Sequence, residues 1–115
     1  NKSMDIRKID DRFSVTGQIN ITDIPAIAAA GFKGIVCNRP DLEGFDQPPH
    51  TDIKDAAAMS GLGFAYIPIL PGAPLGHEPQ EMAAVLRDAG GPVLGYCRSG
   101  ARAANLYAIA LATAA

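Results

Sequence analysis

The sequence predicts an α/β fold, a mostly parallel sheet with helices on both faces. Three observations predict it. Short apolar runs rich in β-formers alternate with helix-patterned segments, and Gly or Pro marks most junctions between them. That alternation puts parallel strands in one sheet and crossover helices over it. The chain has 115 residues, enough for a single domain spanning 1–115 with a real core and too few for two ordinary domains.

The elements follow in order. Phe13-Ser14-Val15-Thr16 alternates and Gly17 breaks it, which predicts a short edge strand. Thr22 or Asp23 can cap a helix whose first turn takes Pro25 and which stops at Gly31. Residues 32–37 form an apolar strand, and 38–50, with Pro40, Gly44, Pro48 and Pro49, a loop. A helix over 51–60 closes at Gly61, and 64–67 reads as a second strand of the buried type. A proline- and glycine-rich loop covers 68–76. A helix over 78–89 has Pro79 at its start and Gly90-Gly91 after it. The strand at 92–96 leads into Cys97, and the last helix starts near Ala101. Met59, Met82 and Leu86 are expected in the core. Ligands bind such sheets beyond the carboxyl ends of the strands, so the loops at 38–50, 68–76 and 97–102 are expected at one end of the molecule.

Composition narrows the function. Hydrophobic residues make up 48% and charged residues 19%, a globular balance, and the net charge of -2 with scattered Lys and Arg argues against nucleic acid. The run at 101–115 is apolar but holds Arg102 and Asn105. It is shorter than the roughly 20 residues that span a bilayer, so it predicts a buried core helix and no membrane partner. The polar N-terminus lacks a signal-peptide pattern, and Asn1-Lys2-Ser3 ahead of Met4 reads as an expression remnant. Cys37 and Cys97 are too few for a disulfide framework, which points to a reduced, cytoplasmic setting; a single pairing between them stays open. Cys37, near a strand end, is expected in the core. His50 and His77 are isolated and no ligand spacing occurs, so neither metal nor cofactor is expected.

The chemistry gathers at Cys97-Arg98-Ser99-Gly100-Ala101-Arg102. A free thiol has a pKa of about 8.5 and needs help to act as a nucleophile near neutral pH. A helix N-terminus supplies partial positive charge and unpaired N–H groups, and Arg98 and Arg102 add two guanidinium groups. Ser99 can donate a hydroxyl hydrogen bond to the sulfur or a leaving group. Gly100 and Ala101 let successive N–H groups turn inward as an anion nest. The expected ligand is a small anion. Arg39 and Asp41, after their strand, form either a loop-internal ion pair or part of the substrate site.

This loop resembles the Cys-X4-Arg loop of rhodanese sulfurtransferases and, one residue shorter, the Cys-X5-Arg loop of tyrosine and dual-specificity phosphatases. Val15-Thr16-Gly17-Gln18, the run from Gly31-Phe32-Lys33-Gly34 to Arg39-Pro40-Asp41, Gln47-Pro48, Tyr66-Ile67-Pro68-Ile69 and Pro92-Val93-Leu94-Gly95-Tyr96 before the loop resemble the beta-lactamase-hydrolase-like phosphatase family. The similarity runs from about Phe13 onward. It implies a dual-specificity-phosphatase-like fold and a cysteine-dependent hydrolase. Cys97 would be the nucleophile, Arg102 would bind the phosphoryl oxygens, and Asp41, Glu78 or His77 would serve as the acid. Three departures stand out. Phosphatases place the loop arginine where this chain has Ala103, they usually carry His where it has Tyr96, and the loop at 68–76 holds no Asp or Glu. A sulfurtransferase carrying a Cys97 persulfide, or a binding module for anionic ligands, are the alternatives.

Overall fold

The computed structural model describes residues 4–114; Asn1, Lys2, Ser3 and Ala115 lie outside the described residues. In chain order the elements are β1 (Arg7–Lys8), β2 (Phe13–Thr16), a 3-10 turn (Ile21–Asp23), α1 (Ile24–Ala29) and β3 (Gly34–Cys37). Then come α2 (His50–Met59), β4 (Gly63–Tyr66), α3 (Glu78–Asp88), β5 (Val93–Tyr96) and α4 (Ala101–Ala114). The strands form one sheet in the order β1-β2-β5-β3-β4. β2, β5, β3 and β4 run parallel, and β1 is antiparallel to β2. The expected α/β class, mostly parallel, holds.

Each face of the sheet carries its own core, as side-chain alternation along a strand requires. Val36 and Val93 face one way with Met82 of α3 and Ala103, Leu106, Tyr107 and Ala110 of α4. Ile35, Leu94 and Tyr96 face the other way with Ile24 and Ile27 of α1 and Ile53 and Ala57 of α2. Phe13 stacks on Tyr107 with ring centroids 4.3 Å apart, and the Tyr107 hydroxyl donates to Asp10 Oδ2 at 2.6 Å. Burial first, then the Asp10 hydrogen bond, pushes the Tyr107 phenol up to about 12. Tyr107→Phe is expected to cost about 1–2 kcal/mol, the loss of one hydrogen bond to a charged acceptor. Urea unfolding at neutral pH reads it, and an unchanged midpoint would show that the bond contributes nothing.

Several expectations are corrected. β2 is no edge strand: it is buried throughout, between β5 and β1. Its alternation suggested a half-exposed strand, but Ser14 and Thr16 are short enough to be covered, and the two polar residues of β1 close its outer side. β4, expected to be buried, is the sheet's other edge and is only half-buried, because it pairs with β3 alone. α4 is not buried all round. Ala103, Leu106, Tyr107 and Ala110 point inward while Ala108, Leu111, Ala112 and Thr113 meet solvent. Met59 is 90% exposed. Ile53 and Ala57 set the inner face of α2, and a residue two past Ala57 lies on the opposite side. Met82 is buried and Leu86 packs on the first core as expected. Among the described residues no helix is long and apolar enough to cross a membrane.

β5, the last strand in sequence, lies in the middle of the sheet. The Cys97 loop therefore emerges at the centre of the carboxyl edge, flanked by the ends of β2 and β3, where strand order reverses.

Candidate active site

The loop begins as a continuation of the sheet. The Cys97 N–H donates to the Thr16 carbonyl at 3.4 Å, and the Asn38 N–H donates to the Tyr96 carbonyl at 2.8 Å. The chain then turns sharply into α4. The Gly100 carbonyl accepts the first helical bond, from the Ala104 N–H at 3.0 Å, and the Gly100 N–H points back at the Cys97 sulfur at 3.0 Å. Cys97 is buried at the base of this turn. Its sulfur thus sits against the N-terminus of a 14-residue helix, where partial positive charge favours an anion.

Gly100 has φ +94°, which a side chain rarely adopts, and a Cβ there would collide with the Arg7 guanidinium and meet the Thr16 carbonyl oxygen at 3.4 Å. Arg7 is the brace of the loop: its NH2 donates to the Ser99 carbonyl at 2.9 Å. Gly17 is needed for another reason, since a Cβ on it would lie 2.9 Å from the Arg98 carbonyl oxygen. Gly100→Ala is expected to cost about 1–3 kcal/mol through backbone strain and to release Arg7. Urea unfolding measures it, and wild-type stability would mean that the turn tolerates a side chain.

Arg102 is held in place by three contacts. NH1 donates to Glu43 Oε2 at 2.8 Å and to the Ile69 carbonyl at 2.9 Å, and NH2 donates to Glu43 Oε1 at 2.7 Å. This is a two-pronged arginine–carboxylate fork, the strong form of that pair. The Arg102 pKa is raised, by Glu43 first and with a smaller contribution from the Cys97 sulfur, against the opposing effect of burial. The same carboxylate takes Arg39, whose Nε donates to Glu43 Oε1 at 3.1 Å and whose NH1 donates to Gln18 Oε1 at 3.0 Å. Arg102 first, then Arg39, hold Glu43 below the usual carboxylate range, burial opposing. Both N–H bonds of Arg102 NH1 are occupied, which leaves its Nε and one bond of NH2 for a ligand.

Asp41 and Glu43 face different partners because the chain reverses between them. Leu42 lies in the left-handed region at φ 67° while its side chain is 95% exposed. Asp41 goes to His50: its Oδ1 accepts the His50 N–H at 2.8 Å, and its Oδ2 lies 2.7 Å from His50 Nδ1. The His50 ring stacks on Tyr66 at 3.6 Å, and the Asp41 N–H donates to the Tyr66 hydroxyl at 3.0 Å. Of the two alternatives for Arg39 and Asp41, the ion pair between them does not form; Glu43 is the partner of Arg39 instead.

The three loops expected at one end do meet, through Arg102, Glu43 and Ile69. Arg98 and Ser99 are exposed. The Ser99 hydroxyl accepts the Ala101 N–H at 3.4 Å rather than reaching the sulfur, so its expected bond to Cys97 is not made. Glu78 binds the Gly76 N–H at 2.6 Å, and His77 caps α3 without a side-chain bond. Tyr96 projects to the face opposite Cys97, into the core with Cys37. Cys37 and Cys97 are unbridged and lie in different cores. Burial pushes the Cys37 thiol up, and the thiol donates to the Arg39 carbonyl at 3.3 Å. Glu43 and Arg7 went unread in the sequence, His50 was read only as too isolated for a metal, and Gln18 only as part of the family resemblance. Only Glu43 left a signal there, its spacing of four from Arg39.

A mostly parallel sheet whose central strand ends in a Cys-to-Arg turn at a helix N-terminus is an α/β fold with a candidate anion site at its carboxyl edge. The chain belongs to the family described as beta-lactamase hydrolase-like protein, phosphatase-like domain, whose model matches residues 5–114. It is 37% identical over 106 residues to the beta-lactamase hydrolase-like protein of Agrobacterium fabrum, covering 89% of this chain and 24% of that protein. The chain thus spans about a quarter of the length of the curated relatives it matches. The crystal structure of a candidate phosphatase from Neisseria meningitidis is 34% identical and superposes with a TM-score of 0.82, covering 91% of this chain and 75% of that one. The TpbA protein of P. aeruginosa, in complex with pTyr, shares the fold at 14% identity and a TM-score of 0.60, covering 83% of this chain and 54% of that one.

Proposed function

We propose that this chain, read as a single phosphatase-like domain, is a cysteine-dependent hydrolase of small phosphate esters. One observation carries the reading: the buried Cys97 sulfur, capped by the Gly100 N–H at 3.0 Å, sits beside an Arg102 fork locked by Glu43. In the first step the Cys97 thiolate attacks phosphorus, the P–O bond to the leaving group breaks, and a phosphocysteine forms. The free donors of Arg102 and the N–H groups of the turn stabilise the charge on the equatorial oxygens. Asp41 serves as the acid that protonates the departing oxygen, held by His50 at 2.7 Å. Water then attacks the phosphocysteine, its proton returns to Asp41, inorganic phosphate leaves and the thiolate is restored. Arg39 supports the site through Glu43, and Arg98 and Ser99 lie where an incoming anion first meets the loop.

A sulfurtransferase is the second reading, favoured by the Cys-X4-Arg spacing and by a loop at 68–76 with no carboxylate. In that case the Cys97 thiolate attacks the outer sulfur of thiosulfate or a thiosulfonate, the S–S bond breaks with sulfite or sulfinate leaving, and the resulting persulfide gives its outer sulfur to a thiol or cyanide. The deciding experiment supplies the protein with an aryl phosphate and, separately, with thiosulfate plus cyanide. Phosphate release, with one phosphoryl group trapped on the Cys97 peptide after rapid acid quench, supports the hydrolase. Thiocyanate production without phosphate release replaces it with the sulfurtransferase. Anion binding with neither reaction leaves a binding module.

A further inference from the structure

The trans peptide joining Ser99 to Gly100 is engaged at both ends. Its carbonyl accepts a bond from Arg7 NH2 at 2.9 Å, and its N–H donates to the Cys97 sulfur at 3.0 Å. A planar trans peptide points its C=O and N–H in opposite directions, so each contact fixes the other. This peptide also has more freedom to turn over than its neighbours. Such a flip changes ψ of Ser99 and φ of Gly100 and moves little else, and glycine accepts φ of either sign. Gly100 stands at φ +94°. The flipped state sets a carbonyl oxygen, rather than an N–H, against the sulfur. The preceding peptide is followed by Ser99, not by glycine, and its Arg98 carbonyl lies so close to Gly17 that a Cβ there would come within 2.9 Å of the oxygen.

Arg7 stands where it can choose between the two orientations. The two-residue strand β1 pairs Arg7 with Val15 and Lys8 with Ser14. The Arg7 guanidinium lies against Gly100, in the space that a side chain there would take. Among the described residues Arg7 forms no ion pair, and its guanidinium reaches the Ser99 carbonyl from the side of the peptide away from Cys97. We propose that Arg7 is a positioning residue: it holds the Ser99–Gly100 peptide with its N–H toward Cys97 and so keeps the sulfur reactive. This role rests on the reading that Cys97 reacts as a thiolate, and it is the same whether the thiolate attacks phosphorus or sulfur. Arg7 itself touches neither the sulfur nor a ligand. Its bond to the carbonyl is charge-assisted, which polarises the peptide and strengthens the N–H as a donor at the other end. Arg7 is exposed, so the bond adds little to the stability of the fold, whereas a small preference suffices to choose between two orientations of one peptide.

The test reads the sulfur directly, apart from turnover. Iodoacetamide alkylation at neutral pH is followed by mass spectrometry of the Cys97 peptide on the intact protein. Arg7→Met keeps most of the side chain's length and removes its donors. At this exposed position, and checked for an unchanged melting temperature, it is expected to slow alkylation about tenfold, the weight of one hydrogen bond to a charged group. Arg7→Lys keeps a charged donor and is expected to stay within about threefold of wild type. Lys8→Met removes the neighbouring charge of β1 and is expected to change the rate by less than about twofold, because exposed charges are screened by salt. The direction of the change separates positioning from simple support. A turn that only loosens without Arg7 uncovers the buried Cys97 sulfur and reacts faster. Alkylation of Arg7→Met at or above the wild-type rate, or an equal loss in Lys8→Met, overturns the proposal and leaves the nucleophile in place. A wild-type Cys97 that does not react at all overturns both. Slower alkylation of Arg7→Met in a protein that releases no phosphate from an aryl ester upholds the role of Arg7 and rejects the hydrolase.

Discussion

Cys97→Ser is expected to bring aryl phosphate hydrolysis to background, a loss on the order of 10³-fold or more, because a serine hydroxyl is not ionised where a thiolate can be. The substitution removes one atom's chemistry and little else. The sulfur is buried at the base of the turn and receives the Gly100 N–H, and a hydroxyl oxygen can accept the same bond. Stability and methylphosphonate affinity should therefore stay close to wild type while phosphate release and phosphocysteine trapping vanish. That combination distinguishes a lost nucleophile from a collapsed site. Arg102→Lys should lower kcat/KM by about 10²–10³-fold, since a point charge cannot hold Glu43 in a fork and also face the anion. A Cys97→Ser protein that keeps a tenth of the activity would remove the thiolate from the mechanism.

Glu43→Gln is expected to lower both stability and turnover, and the pH dependence identifies the cause. Glu43 joins Arg39 to Arg102, with side chains only 19%, 8% and 18% exposed. Its neutral isostere leaves two partly buried guanidinium groups without a counter-charge, a cost of about 2–4 kcal/mol. Glu43 titrates below the usual carboxylate range, with Arg102 as the main cause. Its contribution is thus fully present above its unfolded pKa of about 4.3 and is lost as pH falls through the depressed folded value. The wild type should lose more stability than Glu43→Gln on acidification through that window, so the two melting curves converge at low pH. Turnover should fall by about tenfold or more in kcat, because an Arg102 free to swing is misplaced for the transition state. Parallel stability curves for the two proteins would mean that Glu43 is not the group that titrates. Full turnover with lost stability would make the fork structural only.

The legible part of the site was local in sequence. Cys97, Gly100 and Arg102 lie within one turn, and strand-turn-helix context makes that turn an anion site. The topology argument also held for the loops at 38–50 and 68–76, because parallel strands must end on one side. Glu43 was not legible as the partner of Arg102, which lies 59 residues away. Nor could the sequence say that Asp41 would turn to His50: the reversal depends on a left-handed Leu42, a conformation leucine does not favour. β1 was missed because two charged residues carry no periodic signal.

The sequence by itself determined the α/β class, the order of the four helices and the four parallel strands, and the position of the Cys97 turn at the start of α4. Propensity, periodicity and turn chemistry act over a few residues and can be read there. The tertiary structure alone decided that β5 is central, that β2 is interior and β4 an edge, and that Glu43 clamps two arginines. It also decided that the Ile69 carbonyl, from the loop at 68–76, holds Arg102. Those features depend on which distant segments pack together, and that choice is made by the burial of both sheet faces at once rather than by any single stretch of chain.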